Sequence, residues 1–282
     1  MTLARTADLV EGALAVASAV PAFNVITLEH AEAIVVGGER TGASLILQLS
    51  ENAVGFHGGN PLPILAACRE LAGAAGIPVA LHLDHIQDIA LAERGVSVAE
   101  RVGVSSIMVD AAYLAYDLNV ARTASLATLA HAGGLWVEAE LGEIGGKDGA
   151  HAPGVRTDPE EASGFVTATG VDGLAVAVGS SHAMTSQDAA LDIALIGRLA
   201  ERVPVPLVLH GSSGVPDAVL RQAVAAGIRK VNVGTALNVG FTAAVRRYLE
   251  SNPEATDPRR YLAEAKSAVA DTVARLCEVV SG

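Results

Sequence analysis

Eight short apolar runs rich in β-branched residues recur along the chain, at Ala22–Ile26, Ser44–Ser50, Pro78–Asp84, Ser106–Ala111, Leu135–Leu141, Gly173–Gly179, Pro206–His210 and Lys230–Gly234. Their apolar character is too continuous to leave a solvent face, so each reads as a strand covered on both sides. The segments between them carry helix punctuation. Asn60 stands as an N-cap before Pro61, Thr157 or Asp158 precedes Pro159-Glu160-Glu161, and Gly76, Gly103, Gly170 and Gly227 sit where a left-handed C-cap favours glycine. Strand and helix alternating eight times predicts a parallel (β/α)8 TIM barrel, with an open doubly wound sheet as the competing architecture. The stretch Leu9–Val20 reads as an amphipathic first helix, and helical material at Phe241–Glu250 and Tyr261–Val279 forms a C-terminal helical extension. No linker or charge block marks a boundary, so residues 1–282 are expected to form a single domain.

Polar residues interrupt this pattern at one place in each unit, the C-terminal end of the strand. Reading those ends in order gives Asn24, Ser50, Asp84 with His85, Asp110, Glu138 and Glu140, His182, His210 and Asn232. In a barrel this is the active-site face. The densest cluster is Leu81–His85, Leu-His-Leu-Asp-His. Strand alternation puts His82 and Asp84 on one face and His85 on the other, unless the strand ends between Asp84 and His85. The cluster alone fits either a buried histidine bonded to a carboxylate or a functional pair. Three histidines converging at strand ends 3, 6 and 7 match the ligand set of a catalytic zinc site. His30, His57, His131 and His151 lack this placement and read as ordinary polar positions.

Bulk properties narrow the partners. A hydrophobic fraction of 51% with 3% aromatics describes an Ala/Val/Leu/Ile core, and a net charge of −12 argues against nucleic acid or an anionic membrane surface. The mean hydropathy of +0.40 is spread along the chain, without a run long enough to span a bilayer. Two distant cysteines, Cys68 and Cys277, favour a reducing, cytoplasmic setting over a disulfide framework.

Two loops add chemistry. Leu207–Gly214 ends in His-Gly-Ser-Ser-Gly ahead of a helix near Pro216, and with Asn232 and Thr235 it forms the strand-7 and strand-8 corner where barrels commonly hold a phosphate. The glycine-rich connection Gly142–Thr157 is longer than a usual βα loop and reads as a lid. A metal beside a phosphate cradle points to a phosphorylated substrate with a carbonyl or hydroxyl at the metal, and Asp84 is then a candidate general acid/base. Glu138 reads better as a supporting or ion-paired residue, and Asp110 could orient a ligating histidine.

With these motifs in order, and with Ala22-Phe23-Asn24, Ile107–Asp110, Val137–Gly142 with Gly145-Gly146, Leu174–His182 and Asp257-Pro258-Arg259 added, the chain resembles the class II, zinc-dependent ketose-bisphosphate aldolases. The resemblance implies a catalytic Zn2+ on His85, His182 and His210, with Asp110 and Glu140 around an alternative metal position. It implies that Asp84 exchanges a proton with the C4 hydroxyl, and that Asp148 is the second base in place of the family's usual glutamate. Gly211, Ser213, Asn232 and Thr235 match the dihydroxyacetone-phosphate cradle, often beside a monovalent cation such as Na+ or K+. Ser50 and Arg259 match contacts to the distal phosphate, the arginine coming from a neighbouring subunit of a homodimer or homotetramer, and Asn24 matches an active-site polar position. Gly234 stands where fructose-specific members often carry Asp, which leans toward the tagatose-type branch. Two other readings are a non-catalytic barrel subunit that assists a partner aldolase and a metal-dependent barrel hydrolase. The hydrolase reading lacks the usual His-x-His on the first strand, which ends here in Asn24.

Overall fold

A computed structural model describes residues 3–141, 155–181, 184–185, 187 and 189–281. The expected second base Asp148 and the expected ligand His182 lie outside the described residues. The strands are β1 Val20–Asn24, β2 Leu45–Ser50, β3 Val79–Ile86, β4 Val104–Val109, β5 Trp136–Leu141, β6 Gly173–Val176, β7 Leu207–Leu209 and β8 Ile228–Val233, all parallel, and they close into a barrel in chain order. The helices are α1 Thr6–Ala15, α2 Leu28–Thr41, α3 Glu51–Phe56, α4 Leu62–Ala74, α5 Ile89–Val102, α6 Tyr116–Ala132, α7 Pro159–Thr169, α8 Ile193–Arg202, α9 Asp217–Ala226, α10 Thr235–Ser251 and α11 Pro258–Val280. The closed barrel excludes the open doubly wound sheet.

Closure explains the absence of alternation in the strand sequences. Outward residues such as Phe23, Leu47, Leu81, Leu83, Val137 and Leu174 pack under the helices, in one continuous apolar layer with Ile34, Leu65, Phe165 and Leu199. Inside the barrel, Ala22, Ile46 and Ala80 meet Val10 and Ala13 of α1, and Met108, Trp136, Ala175 and Val208 form a second apolar cluster. Helix α1 therefore plugs the N-terminal end of the barrel. Thr6 Oγ1 locks it there, 2.6 Å from Ser106 Oγ. The C-terminal end is left to polar side chains.

Several boundaries differ from the sequence expectation. The first helix stops at Ala15 and Val20 opens β1, because the apolar run expected to be a single helix crosses the Ala17 turn (φ 55). Pro61 is the N-cap of α4, and Asn60 instead accepts the Leu62 N–H at 3.1 Å. Gly103, Gly170 and Gly227 take positive φ at helix ends; Gly76 does not, since Ala75 ends α4 in an extended conformation. Helix α10 begins six residues earlier than Phe241, at Thr235, so the extension joins β8 directly. Helix α11 packs along α2 at close range: a Cβ on Gly37 would fall 2.6 Å from Val273 Cβ.

Candidate active site

The third strand carries a defect that resolves the puzzle of Leu81–His85. Leu83 pairs with Ile107 and Ile86 pairs with Val109, so Asp84 and His85 together oppose the single residue Met108. This is a β-bulge, and it re-aims a side chain. The strand does not end between Asp84 and His85, as expected from sequence; it continues to Ile86 with His85 at φ 51. A non-glycine residue in the left-handed region stores strain of about 1–3 kcal/mol and persists only where its surroundings hold it.

Those surroundings are polar. His85 Nδ1 lies 3.0 Å from Asp110 Oδ2, which also accepts from Gln87 Nε2 at 3.3 Å. The His85 ring meets the His210 ring edge-on, with centroids 4.7 Å apart. His210 follows β7 and is fully buried; its Nε2 is 2.9 Å from Glu138 Oε1 and its Nδ1 is 3.6 Å from Glu140 Oε2. Ser180 Oγ donates to the His210 carbonyl at 2.6 Å, fixing the backbone on which the ring is carried. The ligand atoms of His85, Glu140 and His210 all lie within 4.8 Å of one another. Two imidazole nitrogens and a carboxylate oxygen are a donor set suited to a divalent first-row metal such as zinc, so type and proximity both fit.

Asp84 is buried beside this group, with Oδ1 3.4 Å from Asn232 Nδ2 and 4.0 Å from His82 Nε2. His82 donates to or accepts from Ser106 Oγ at 2.8 Å, and burial, followed by the charge of Lys230, holds its pKa well below 6.5. A neutral His82 is thus a structural support. Among the other histidines, His131 pairs with Asp172 at 2.8 Å and His30 stacks on Phe241, both away from the grouping.

The strand-7 and strand-8 corner is built around Gly211. It takes φ 64, and a Cβ there would lie 2.5 Å from the Ser181 carbonyl oxygen, so only glycine fits. Residues Ser212–Gly214 form a 3-10 turn, and Ser213 Oγ accepts the Ala236 N–H at 3.0 Å, tying the turn to the start of α10. Thr235 is the first residue of that helix. On the other side of the mouth, Ser50 pairs in register with Asp84 and caps α3 by accepting the Ala53 N–H at 3.2 Å. Asn24 accepts from Gln48 Nε2 and also lies against Gly234, where a Cβ would come 3.2 Å from Asn24 Nδ2.

Asp84, His85, Asp110, Glu140, His210 and Asn232 therefore come together through direct contacts. Arg259 does not join them; it opens α11 with an exposed guanidinium 2.7 Å from Asp257. Two residues of the site were not singled out from sequence. Gln48 lies beside Asn24, in register on β2, and Lys230 is fully buried inside the barrel, with Nζ 2.8 Å from Glu138 Oε2. The signal for Lys230 was its spacing of two from Asn232 in a strand, which puts both on one face.

A (β/α)8 barrel with a metal-type donor set and a buried carboxylate at its C-terminal mouth defines a class of metal-assisted barrel enzymes. Comparison with known proteins specifies which one. A model of the family "Fructose-bisphosphate aldolase class-II" matches residues 4–282. The D-tagatose-1,6-bisphosphate aldolase subunit GatY of Klebsiella oxytoca is 38% identical over 266 residues, 93% of this chain and 91% of that protein. The crystal structure of the YdjI aldolase from Escherichia coli superimposes with a TM-score of 0.83 at 28% identity, covering 99% of this chain and 97% of that one. A fructose-bisphosphate aldolase from Campylobacter jejuni shares the fold, with a TM-score of 0.81 at 22% identity over 97% of this chain and 93% of that one. The chain belongs to the class II fructose-bisphosphate aldolase family and is a lyase of that class. No described helix is long and apolar enough to cross a membrane.

Proposed function

We propose that this protein catalyses the reversible, zinc-dependent aldol cleavage of a ketose 1,6-bisphosphate, tagatose-1,6-bisphosphate before its fructose epimer, to dihydroxyacetone phosphate and glyceraldehyde 3-phosphate. One observation carries the reading: the grouping of His85, Glu140 and His210 stands directly beside the buried carboxylate of Asp84, and the bulge turns Asp84 and His85 to the same mouth. The likeness to GatY supports the tagatose preference, and so does the space that Gly234 leaves beside Asn24.

His85, His182 and His210 would hold the zinc, with Asp110 and Glu140 as the alternative carboxylate donors next to it. Bound there, the metal supplies Lewis-acid polarisation of the C2 carbonyl. The remaining chemistry belongs to the chain. Asp84 takes the proton of the C4 hydroxyl as the C3–C4 bond breaks; C4 becomes the aldehyde carbonyl and the bonding pair passes to C3. Asn232, donating toward Asp84 at 3.4 Å, holds that carboxylate in line. Asp148 is the residue assigned to return a proton to C3. Gly211, Ser213, Asn232 and Thr235 cradle the phosphate of the dihydroxyacetone-phosphate half, with a monovalent cation beside it, and the N-terminus of the seventeen-residue α10 favours an anion there. Ser50 and Asn24 serve the other half. Arg259, exposed and paired with Asp257, is assigned to a neighbouring subunit's distal phosphate in a cytoplasmic homodimer or homotetramer.

The test is a side-by-side kinetic comparison of tagatose- and fructose-1,6-bisphosphate with the isolated chain. Cleavage of either to the two triose phosphates supports the reading, and a higher kcat/KM for the tagatose epimer supports the preference. An isolated chain that holds zinc but cleaves neither would transfer the role to a non-catalytic subunit.

A further inference from the structure

We infer that Lys230 is a positioning residue for both halves of the site, acting through Glu138 on His210 and through Asn232 on Asp84. The inference rests on the aldolase reading above. Lys230 leaves β8 inside the barrel with no exposure to solvent, and its Nζ lies 2.8 Å from Glu138 Oε2 and 2.7 Å from Asn232 Oδ1. An ammonium in such a place is costly to bury, and hydrophobic residues commonly replace buried ion pairs without loss of stability. Its geometry gives it a task that an apolar side chain could not perform.

An ammonium only donates. It therefore fixes which end of the Asn232 amide faces it: the Oδ1 end, which accepts. The Nδ2 end is then turned to the other side, 3.4 Å from Asp84 Oδ1. The opposite amide orientation would set Nδ2 against Nζ and a carbonyl oxygen against the Asp84 carboxylate, two repulsions at once. The same ammonium takes one oxygen of Glu138 and leaves the other, Oε1, 2.9 Å from His210 Nε2. A carboxylate only accepts, so the proton of the His210 ring belongs on Nε2, and Nδ1 is the nitrogen presented toward Glu140 at 3.6 Å. The same Nε2 also lies 3.0 Å from Asn232 Nδ2, so the ring, the amide and the Glu138 carboxylate form one contact group around Nζ. One buried cation thus sets the tautomer of a metal-type ligand and the amide flip that steadies the proton-transfer carboxylate.

Removing such outer support typically weakens metal binding 10–100-fold. Lys230→Met keeps an unbranched side chain one atom shorter and deletes the donor; Lys230→Met with Glu138→Gln also deletes the buried charge left behind. Zinc affinity of each purified full-length protein is measured by competition with a chromophoric chelator, alongside kcat and KM for the bisphosphate. Lys230→Met is expected to lower zinc affinity at least tenfold, and to lower kcat of the zinc-saturated enzyme at least tenfold with little change in KM. The double variant is expected to regain thermal stability without regaining zinc affinity, because the amide that replaces the Glu138 carboxylate can turn either end to the ring. Wild-type affinity in Lys230→Met, or recovery of stability and affinity together in the double variant, would overturn the inference. Wild-type protein that binds no zinc would remove the aldolase reading and this inference with it, whereas normal wild-type binding that neither variant disturbs would remove this inference alone.

Discussion

Asp84 and His85 are neighbours in the chain, yet both turn into the barrel mouth, because together they form the two-residue side of a β-bulge opposite Met108. A regular strand would have sent one of them under the helices. The His85 ring is oriented by its contact with Asp110 at 3.0 Å, and the backbone cost of the bulge sits at His85, φ 51.

That cost is measurable. His85→Gly relieves left-handed strain of about 1–2 kcal/mol, which offsets the roughly 0.5–1 kcal/mol that glycine adds in chain entropy. The variant should unfold in urea, without metal, at a free energy within about 1 kcal/mol of wild type, while zinc binding and cleavage are abolished. A loss well beyond that would mean that His85 stabilises the fold and is not held in place by it.

The proton-transfer role of Asp84 gives a second expectation. Asp84→Asn keeps the size of the side chain and deletes the base, so kcat for cleavage should fall by about 10²–10⁴ with bound zinc unchanged. Steady-state kinetics together with metal analysis separate the two effects. A fall of less than about tenfold would place the base elsewhere.

Gly211 tests the cradle. In Gly211→Ala the new Cβ meets the Ser181 carbonyl oxygen at 2.5 Å while the backbone stays at φ 64, so the turn must shift. We expect a loss of about 1–3 kcal/mol in stability. KM for the bisphosphate should rise at least tenfold, whereas zinc affinity moves little. Unchanged KM would remove the phosphate from this corner.

His82 makes stability depend on pH. In the folded chain its pKa lies well below 6.5, by burial first and by the charge of Lys230 second, whereas in the unfolded chain it takes up a proton near 6.5. The unfolded state then binds more protons below pH 6.5, and stability falls as pH falls, by up to about 1.4 kcal/mol per pH unit for this group. Urea midpoints measured from pH 7 to pH 5 should drop less steeply in His82→Asn than in wild type. Parallel slopes would contradict the assignment.

Much of this architecture is legible in the sequence because barrel strands are covered on both sides: continuous apolar runs such as Leu174–Val178 and Leu207–Leu209, with polar residues following their ends, mark both the strand and the mouth. The ordered motifs carried the family. Other features were hidden for physical reasons. A bulge adds one residue to a strand without altering its composition, so Asp84 and His85 could not be assigned to one face from alternation. Lys230 follows Arg229 in β8, and its importance comes from Glu138, ninety-two positions away in the chain. The α1–β1 boundary was lost because the run Ala13–Ala17 continues apolar past the helix end, and a turn at Ala17 needs positive φ that no glycine announces.

The most direct test of the central claim is chelation. Protein stripped with a strong chelator and assayed with the bisphosphate should lose its cleavage activity and regain it on addition of about one zinc per chain, with Asp84→Asn remaining inactive under the same treatment. Cleavage that survives complete removal of the metal would contradict the account.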